Sequence, residues 1–336
     1  MDKVRHQKVN SKCSDTFLDT LELTTENFRT KAHETLFKSA FRKRKANSKI
    51  YGLIDVTTSV KMKSKYWQTY HCKNVLLQQG NSVIGSLCRN RWCLTCSRIK
   101  TAEMINGYSQ PLTELATENE LYFVTLTAPT ISGENLRTEI RKRIKVFQQC
   151  QDALRKQGVK LNGMRKLEVT YNETTNKYHP HFHFIQQGKH ESECLRIEWA
   201  KRIKKLGKKV TLKAQHIDKI TDLGKGFIEL FKYATKDSVK DETPSFALDV
   251  IYQSIEGTRI YQPYGTIRKV KQPIEKTDEK FTVDFIPPTD EVWVFDEVQI
   301  DWVNGSNETL IETQRIILEN NNRIAPSNVR NCLSTV

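Results

Sequence analysis

The sequence predicts an α+β protein, an antiparallel sheet with helices packed on it and a small cysteine-rich module ahead of it. Three observations predict this. From Leu121 to Ser238 the pattern reads strand, helix, strand, strand, helix, strand, helix. The two adjacent strands are separated only by the turn-like NETTNK, so they pair as a hairpin. Four of the eight cysteines fall between positions 72 and 96, in a stretch too polar to build a core of its own.

Each element has its own signal. LYFVTLTA, Leu121 to Ala128, is aromatic and β-branched and stops at Pro129, as a buried strand does. From Leu136 to Leu154, the apolar residues Leu136, Ile140, Ile144, Phe147 and Cys150 recur at helical spacing, and Gly158 supplies a stop. Lys166 to Tyr171 and His181 to Gln186 alternate as hairpin strands. A helix over about 192–206 puts Leu195, Trp199 and Ile203 on one stripe, Val210 to Ile217 reads as a further strand, and a helix runs from about Lys225 to Ser238. VIYQSIEGTRIYQPYGTIRKV reads as a helix followed by an extended segment with Tyr261 and Tyr264, completing the domain, and EVWVFDEVQIDWV alternates as one or two strands.

At 336 residues the chain holds roughly two domains. Mean hydropathy is −0.59, and no apolar run approaches the ~18 residues of a membrane span. The polar start MDKVRHQKVNSKCSD has no secretory signal, so a cytoplasmic location with reduced or metal-bound cysteines is expected. The net charge is +15 and unevenly placed: residues 1–30 carry 0, 31–105 carry +12, 106–135 carry −4, 136–240 carry +14 and 241–336 carry −7. Two basic blocks suit a polyanionic partner over the first 240 residues and another task for the acidic tail. The expected division is a partly ordered basic arm over 1–50, ending in Arg42, Lys43, Arg44 and Lys45, a cysteine-rich module over 51–105, a main domain over 106–270 and an acidic region of unassigned role over 271–336.

CRNRWCLTC places Cys88, Cys93 and Cys96 in a C-x4-C-x2-C arrangement, with Cys72 sixteen residues earlier. Four thiolates on two short knuckles can close a tetrahedral zinc site, and the ion replaces missing core. His71 is an alternative to Cys72, but the thiolate is favoured. Arg89, Arg91, Arg98 and Lys100 surround the cluster as candidate phosphate-binding residues, with Trp92 either stacking on bases or packing in the module.

In HPHFH, the histidines His179, His181 and His183 lie two apart and share one face of a strand. That face spans about 13 Å, so one ion can take only an adjacent pair. Pro180 suits the strand's first turn, which favours His181 with His183. Glu168, the acidic residue of RKLEVTY, lies across the hairpin and is the natural third ligand. Two imidazoles, one carboxylate and open positions suit a Lewis-acidic Mg or Mn ion acting on a phosphodiester.

In FIELFKYATKDS, a helical projection from Glu229 places Phe227, Leu230, Phe231 and Ala234 on one side and Tyr233 and Lys236 near Glu229 on the other. Tyrosine, with a pKa of about 10, becomes a nucleophile only where a cation favours its phenolate, and Lys236 can supply one. Attack on DNA would leave a 5′-phosphotyrosyl link and a free 3′-hydroxyl. Glu229 could then activate water or a DNA hydroxyl when that link is resolved.

Taken together, YFVTLTAP, LEVTYN with YHPHFHF, and KYATKDS, preceded by CRNRWCLTCSR, resemble the plasmid rolling-circle replication initiators of the HUH endonuclease group, in the right order over residues 88–238. The resemblance is to the single-tyrosine type with an upstream cysteine cluster. It implies a five-stranded antiparallel sheet, His181 and His183 as metal ligands, Tyr233 as nicking nucleophile, Lys236 as the lysine of the KYxxK pattern, and Glu229 ending the round by hydrolysis. HPHFH is longer than the minimal motif, which leaves His179 as an alternative partner for His181. The resemblance also implies a bacterial plasmid origin as substrate, single-stranded at the nick, with a host helicase and polymerase as partners. A conjugative relaxase, a single-strand transposase, and a non-catalytic zinc-containing DNA-binding regulator are the alternatives.

Overall fold

The computed structural model describes residues 31–79, 82–231, 243–270, 281–282 and 291–312. In chain order its elements are helix α1 (Lys31–Val56), α2 (Val60–Tyr70), strands β1 (Val75–Gln79) and β2 (Ser82–Gly85), α3 (Leu94–Glu118), β3 (Leu121–Leu126), α4 (Gly133–Lys156), β4 (Gly163–Asn172), β5 (Lys177–Gln187), α5 (Lys189–Lys205), β6 (His216–Lys219), α6 (Leu223–Phe231), α7 (Ser245–Ile255), β7 (Tyr261–Tyr264), β8 (Phe281–Thr282), β9 (Val292–Asp296) and β10 (Asp301–Val303). The chain divides into two compact units, one of Met1–Ala40, Leu77–Val83 and Phe281–Val336, the other of Phe41–Leu76 and Ile84–Lys280.

The larger unit is built on a five-stranded sheet in the order β6-β3-β5-β4-β7. Its strand pairs are antiparallel throughout, and the α+β class is the one the sequence predicts. The central hairpin runs from Gly163↔Gln186 to Asn172↔Lys177, closed by a turn in which Asn172 Oδ1 accepts from the Thr175 backbone N–H at 2.9 Å. The two faces of this sheet differ. Leu167, Val169, Phe182 and Phe184 point into a large core with Leu136, Ile140 and Phe147 of α4 and Leu195, Trp199 and Ile203 of α5. Met164 and Ile185 point the other way, into a second core with Met104, Tyr108 and Leu112 of α3 and Phe227, Leu230 and Phe231 of α6.

Helix α4 ends as its glycine requires. Gly158 has φ +83, its N–H bonds to Arg155 O and the Val159 N–H returns to Leu154 O at 2.9 Å, the Schellman pattern that satisfies the last carbonyls.

Two expectations are corrected. The strand expected from Val210 to Ile217 is a short 3-10 turn, Leu212–Ala214, before β6 begins at His216. The buried Gln215 side chain explains this: its Oε1 accepts from the Thr127 N–H at 2.6 Å and its Nε2 donates to Thr211 O at 3.2 Å. The backbone is thereby curled, and only residues from His216 onward align with β3. Pro180 lies well inside β5, opposite Val169, not in the strand's first turn. Its missing N–H is tolerated because β3 already ends at Leu126, opposite Phe182. There the buried Arg143 guanidinium takes over, donating to Pro180 O and, at 2.6 Å, to Pro129 O, while Glu139 offsets its charge at 3.1 Å.

The smaller unit contains a sheet in the order β10-β9-β1-β2-β8. Trp302 pairs with Phe295 in the β9–β10 hairpin, their rings 5.1 Å apart, and Trp293 Nε1 donates to Gln78 Oε1 at 3.0 Å. Among the described residues, no helix is long and apolar enough to cross a membrane.

Candidate metal centres

Strand alternation and hairpin register assemble the first centre. The pairs Lys166↔His183 and Glu168↔His181 put these four side chains on the face that also bears Met164 and Ile185, so they share it with α6. Ligand atoms of Glu168, His181 and His183 all lie within 4.8 Å of one another, a donor set that can hold a divalent ion. His179 is not part of that group; its ring stacks on His181 with centroids 5.1 Å apart.

Both imidazoles are oriented for the task. His181 Nδ1 lies 2.9 Å from the His179 carbonyl and therefore carries the proton, which leaves Nε2 with its lone pair. Thr125 Oγ1 holds His183 Nδ1 at 3.0 Å. Burial lowers the His181 pKa, and burial together with the neighbouring His181 holds His183 down to about 4. Both rings are thus neutral near pH 7, the form that binds a metal. Burial alone would raise the Glu168 carboxyl, but the Lys166 ammonium beside it reverses the sign and the net shift is downward.

Lys166 is the member of this centre that the sequence reading missed. Its Nζ lies 2.8 Å from Glu168 Oε2, and the signal was present as two opposite charges at i and i+2 of one strand. Glu229 acts electrostatically on His183, which places α6 beside the centre. Helix α6 is described as far as Phe231, whose carbonyl accepts from Tyr261 Oη at 3.3 Å, and Tyr261 lies opposite Lys166 in the register. Tyr233 and Lys236 lie outside the described residues.

The second centre is the cysteine cluster. Sγ atoms of Cys72, Cys88, Cys93 and Cys96 lie within 4.8 Å of one another, with Cys72 to Cys96 at 3.6 Å and Cys88 to Cys96 at 3.7 Å. Four thiolates around zinc at about 2.3 Å would be separated by about 3.8 Å, so the spacing fits that ion. Residues with positive φ follow two of the cysteines, Lys73 and Arg89, both at 55°; the Lys73 N–H goes to Ser86 O at 2.9 Å, while the Arg89 N–H turns back toward sulfur. Arg89 N–H to Cys96 Sγ is 3.2 Å. Cys93 caps α3, its Sγ accepting from the Cys96 N–H at 3.5 Å, where the helix dipole favours a thiolate. His71 instead stacks on Trp67, with centroids 5.9 Å apart.

The basic residues around this cluster, Arg89, Arg91, Arg98 and Lys100, are all exposed and differ in their partners. Lys100 pairs with Glu103 at 2.9 Å. Arg91 Nη1 donates to Thr258 O at 2.8 Å and Ile255 O at 3.2 Å, so its guanidinium caps the end of α7. Trp92 belongs to the core. It is 5% exposed, bonds Thr69 Oγ1 through Nε1 at 3.1 Å and meets Tyr66 edge-on at 5.7 Å.

Comparison with known proteins places these centres in context. The model of the Rep_1 family, described as a replication protein, matches residues 81–305. The chain is 31% identical over 100 residues to a "Protein rep" of Staphylococcus aureus, covering 29% of this chain and 44% of that protein. It is 22% identical over 205 residues to a "Protein rep" of Streptococcus pneumoniae, covering 56% of this chain and 63% of that protein. The chain thus spans about half the length of these curated relatives. No solved structure matches it.

Proposed function

The chain belongs to the Rep_1 replication protein family, and on that premise we propose that it is a plasmid rolling-circle initiator of the HUH type, nicking one strand of an origin through Tyr233. The observation that carries this reading is the convergence of Glu168, His181 and His183 on the sheet face against which α6 packs. The sequence of that helix leads directly into KYATKDS.

Glu168, His181 and His183 would hold Mg or Mn, which when bound polarises a phosphodiester as a Lewis acid. Tyr233 Oη attacks the phosphorus, an oxygen–phosphorus bond forms, and the bond to the 3′-oxygen breaks. The phenolic proton passes to solvent, and the departing 3′-oxygen takes one up from solvent to become the hydroxyl from which a host polymerase extends, with a host helicase opening the duplex. Lys236 favours the phenolate. Glu229 accepts a proton from water or a DNA hydroxyl when the 5′-phosphotyrosyl bond is resolved. The cysteine cluster would hold zinc as a structural ion, and Arg89, Arg98 and Lys100 would meet DNA phosphates around it. Arg91 contributes to this surface chiefly by fixing it to α7, since its guanidinium is already engaged by carbonyls.

The test is incubation with a supercoiled plasmid carrying the cognate origin and Mn. The expected product is a nicked circle with protein attached to its 5′ end. Tyr233→Phe should abolish attachment and keep DNA binding; a variant that still attaches would refute the assignment.

A further inference from the structure

We propose that Lys166 is the resident counter-ion of the histidine–carboxylate centre and sets how tightly that centre holds a divalent ion. The inference rests on the reading of Glu168, His181 and His183 as ligands. The Lys166 side chain is 1% exposed, a costly place for an ammonium that packing alone would not choose. Its position follows from the register. It lies directly opposite His183, two residues from Glu168 on the same strand face, with the apolar Met164 next along.

The oxygen that Lys166 takes is the informative detail. Its Nζ is 2.8 Å from Glu168 Oε2, and His183 Nε2 is 3.6 Å from that same oxygen. The atom best placed to serve a metal beside His183 is thus already held by a fixed positive charge. An incoming ion must share Oε2 with the ammonium or turn to Oε1, and in either case it enters next to a like charge. The lysine therefore weakens divalent binding. It also cancels the formal charge of Glu168, so the loaded centre keeps the ion's full positive charge toward an anionic phosphodiester.

The experiment uses the full-length, zinc-loaded chain titrated with Mn by calorimetry, with His183→Ala as the control that isolates this centre. Lys166→Met and Lys166→Gln should bind Mn about tenfold more tightly than wild type. Lys166→Arg, which keeps the charge, should stay within about threefold. Without Mn, Lys166→Met should unfold at a lower temperature than wild type, because Glu168 is left buried and uncompensated, and saturating Mn should remove that deficit. Should Lys166→Met fail to fold, Lys166→Gln against Lys166→Arg carries the same comparison. Unchanged or weaker Mn binding by the uncharged variants, with wild-type near-UV circular dichroism, overturns the proposal. Wild-type protein that shows no Mn binding sensitive to His183→Ala would instead refute the ligand assignment on which it rests.

Discussion

The cysteine cluster and the histidine–carboxylate cluster belong to the same compact unit, yet they offer a metal ion different surroundings. The first offers four sulfurs, three of its residues buried, with backbone N–H groups turned onto the sulfurs. A metal there has its full tetrahedral complement and no open position. The second offers two neutral imidazoles and one carboxylate, which leaves positions open for a substrate oxygen. Each also carries a buried lysine, used differently. Lys73 lies beside the thiolates, with burial lowering its pKa to about 8, and its charge offsets an excess of negative ligands. Lys166 opposes the charge of a single carboxylate. On the function proposed above, ligand count and charge balance, more than ligand identity, would separate a closed structural centre from an open reactive one.

The contrast can be broken or sharpened by experiment. The largest effect should come from Cys93→Ala, which removes both a candidate ligand and the side-chain cap of α3. Zinc content should fall to near zero and stability by on the order of 5 kcal/mol, read by elemental analysis and urea unfolding. A variant that keeps its zinc and stability would show that the cluster is not a closed metal centre.

Acid should affect the open centre next. His183 is held down to about 4 chiefly by burial, against 6.5 for a free imidazole. The unfolded chain therefore takes up the proton first as pH falls. The stability contributed by this neutral ring is fully present above about pH 6.5 and is lost progressively toward pH 4, by on the order of 3 kcal/mol. Urea unfolding of zinc-loaded protein free of Mg and Mn from pH 7 to pH 5 should show a decline that His183→Ala lacks, and equal profiles for the two would contradict it.

His183→Ala should leave zinc bound while lowering the nicking rate by at least about a hundredfold. Nicking that survives intact would move the reactive centre elsewhere. The smallest effect should be that of Thr125→Val, which removes the 3.0 Å contact to His183 Nδ1 and should weaken Mn binding by about tenfold. Calorimetry reads this directly, and unaltered affinity would mean that packing alone orients the ring.

Much of the larger sheet was legible because its signals are local. Period two exposed His181, His183 and Glu168, and period 3.6 exposed the buried stripes of α4 and α5. The cysteine spacing announced a cluster before any fold was known. What escaped depends on distant partners. Gln215 curls its segment only because Thr127 of another strand end is there to receive it, so Val210 to Ile217 looks like a strand when read alone. Pro180 sits mid-strand only because Arg143, from α4, takes the place of the absent ladder. The ammonium of Lys166 was visible in the sequence, but its burial against Glu168 was not. The sheet that joins β1 and β2 to β9 and β10 leaves no local mark, since neither segment shows that it needs the other.

That last sheet bears on how the protein is made. Residues 75–85 leave the ribosome about two hundred positions before 292–303, the strands that will lie beside them. At elongation speeds of about 5–20 residues per second, the nascent β-ribbon waits on the order of 10–40 s with an open edge. A message shortened before codon 292 would leave that edge permanently bare, and its product should be found in inclusion bodies or degraded rather than in the soluble fraction.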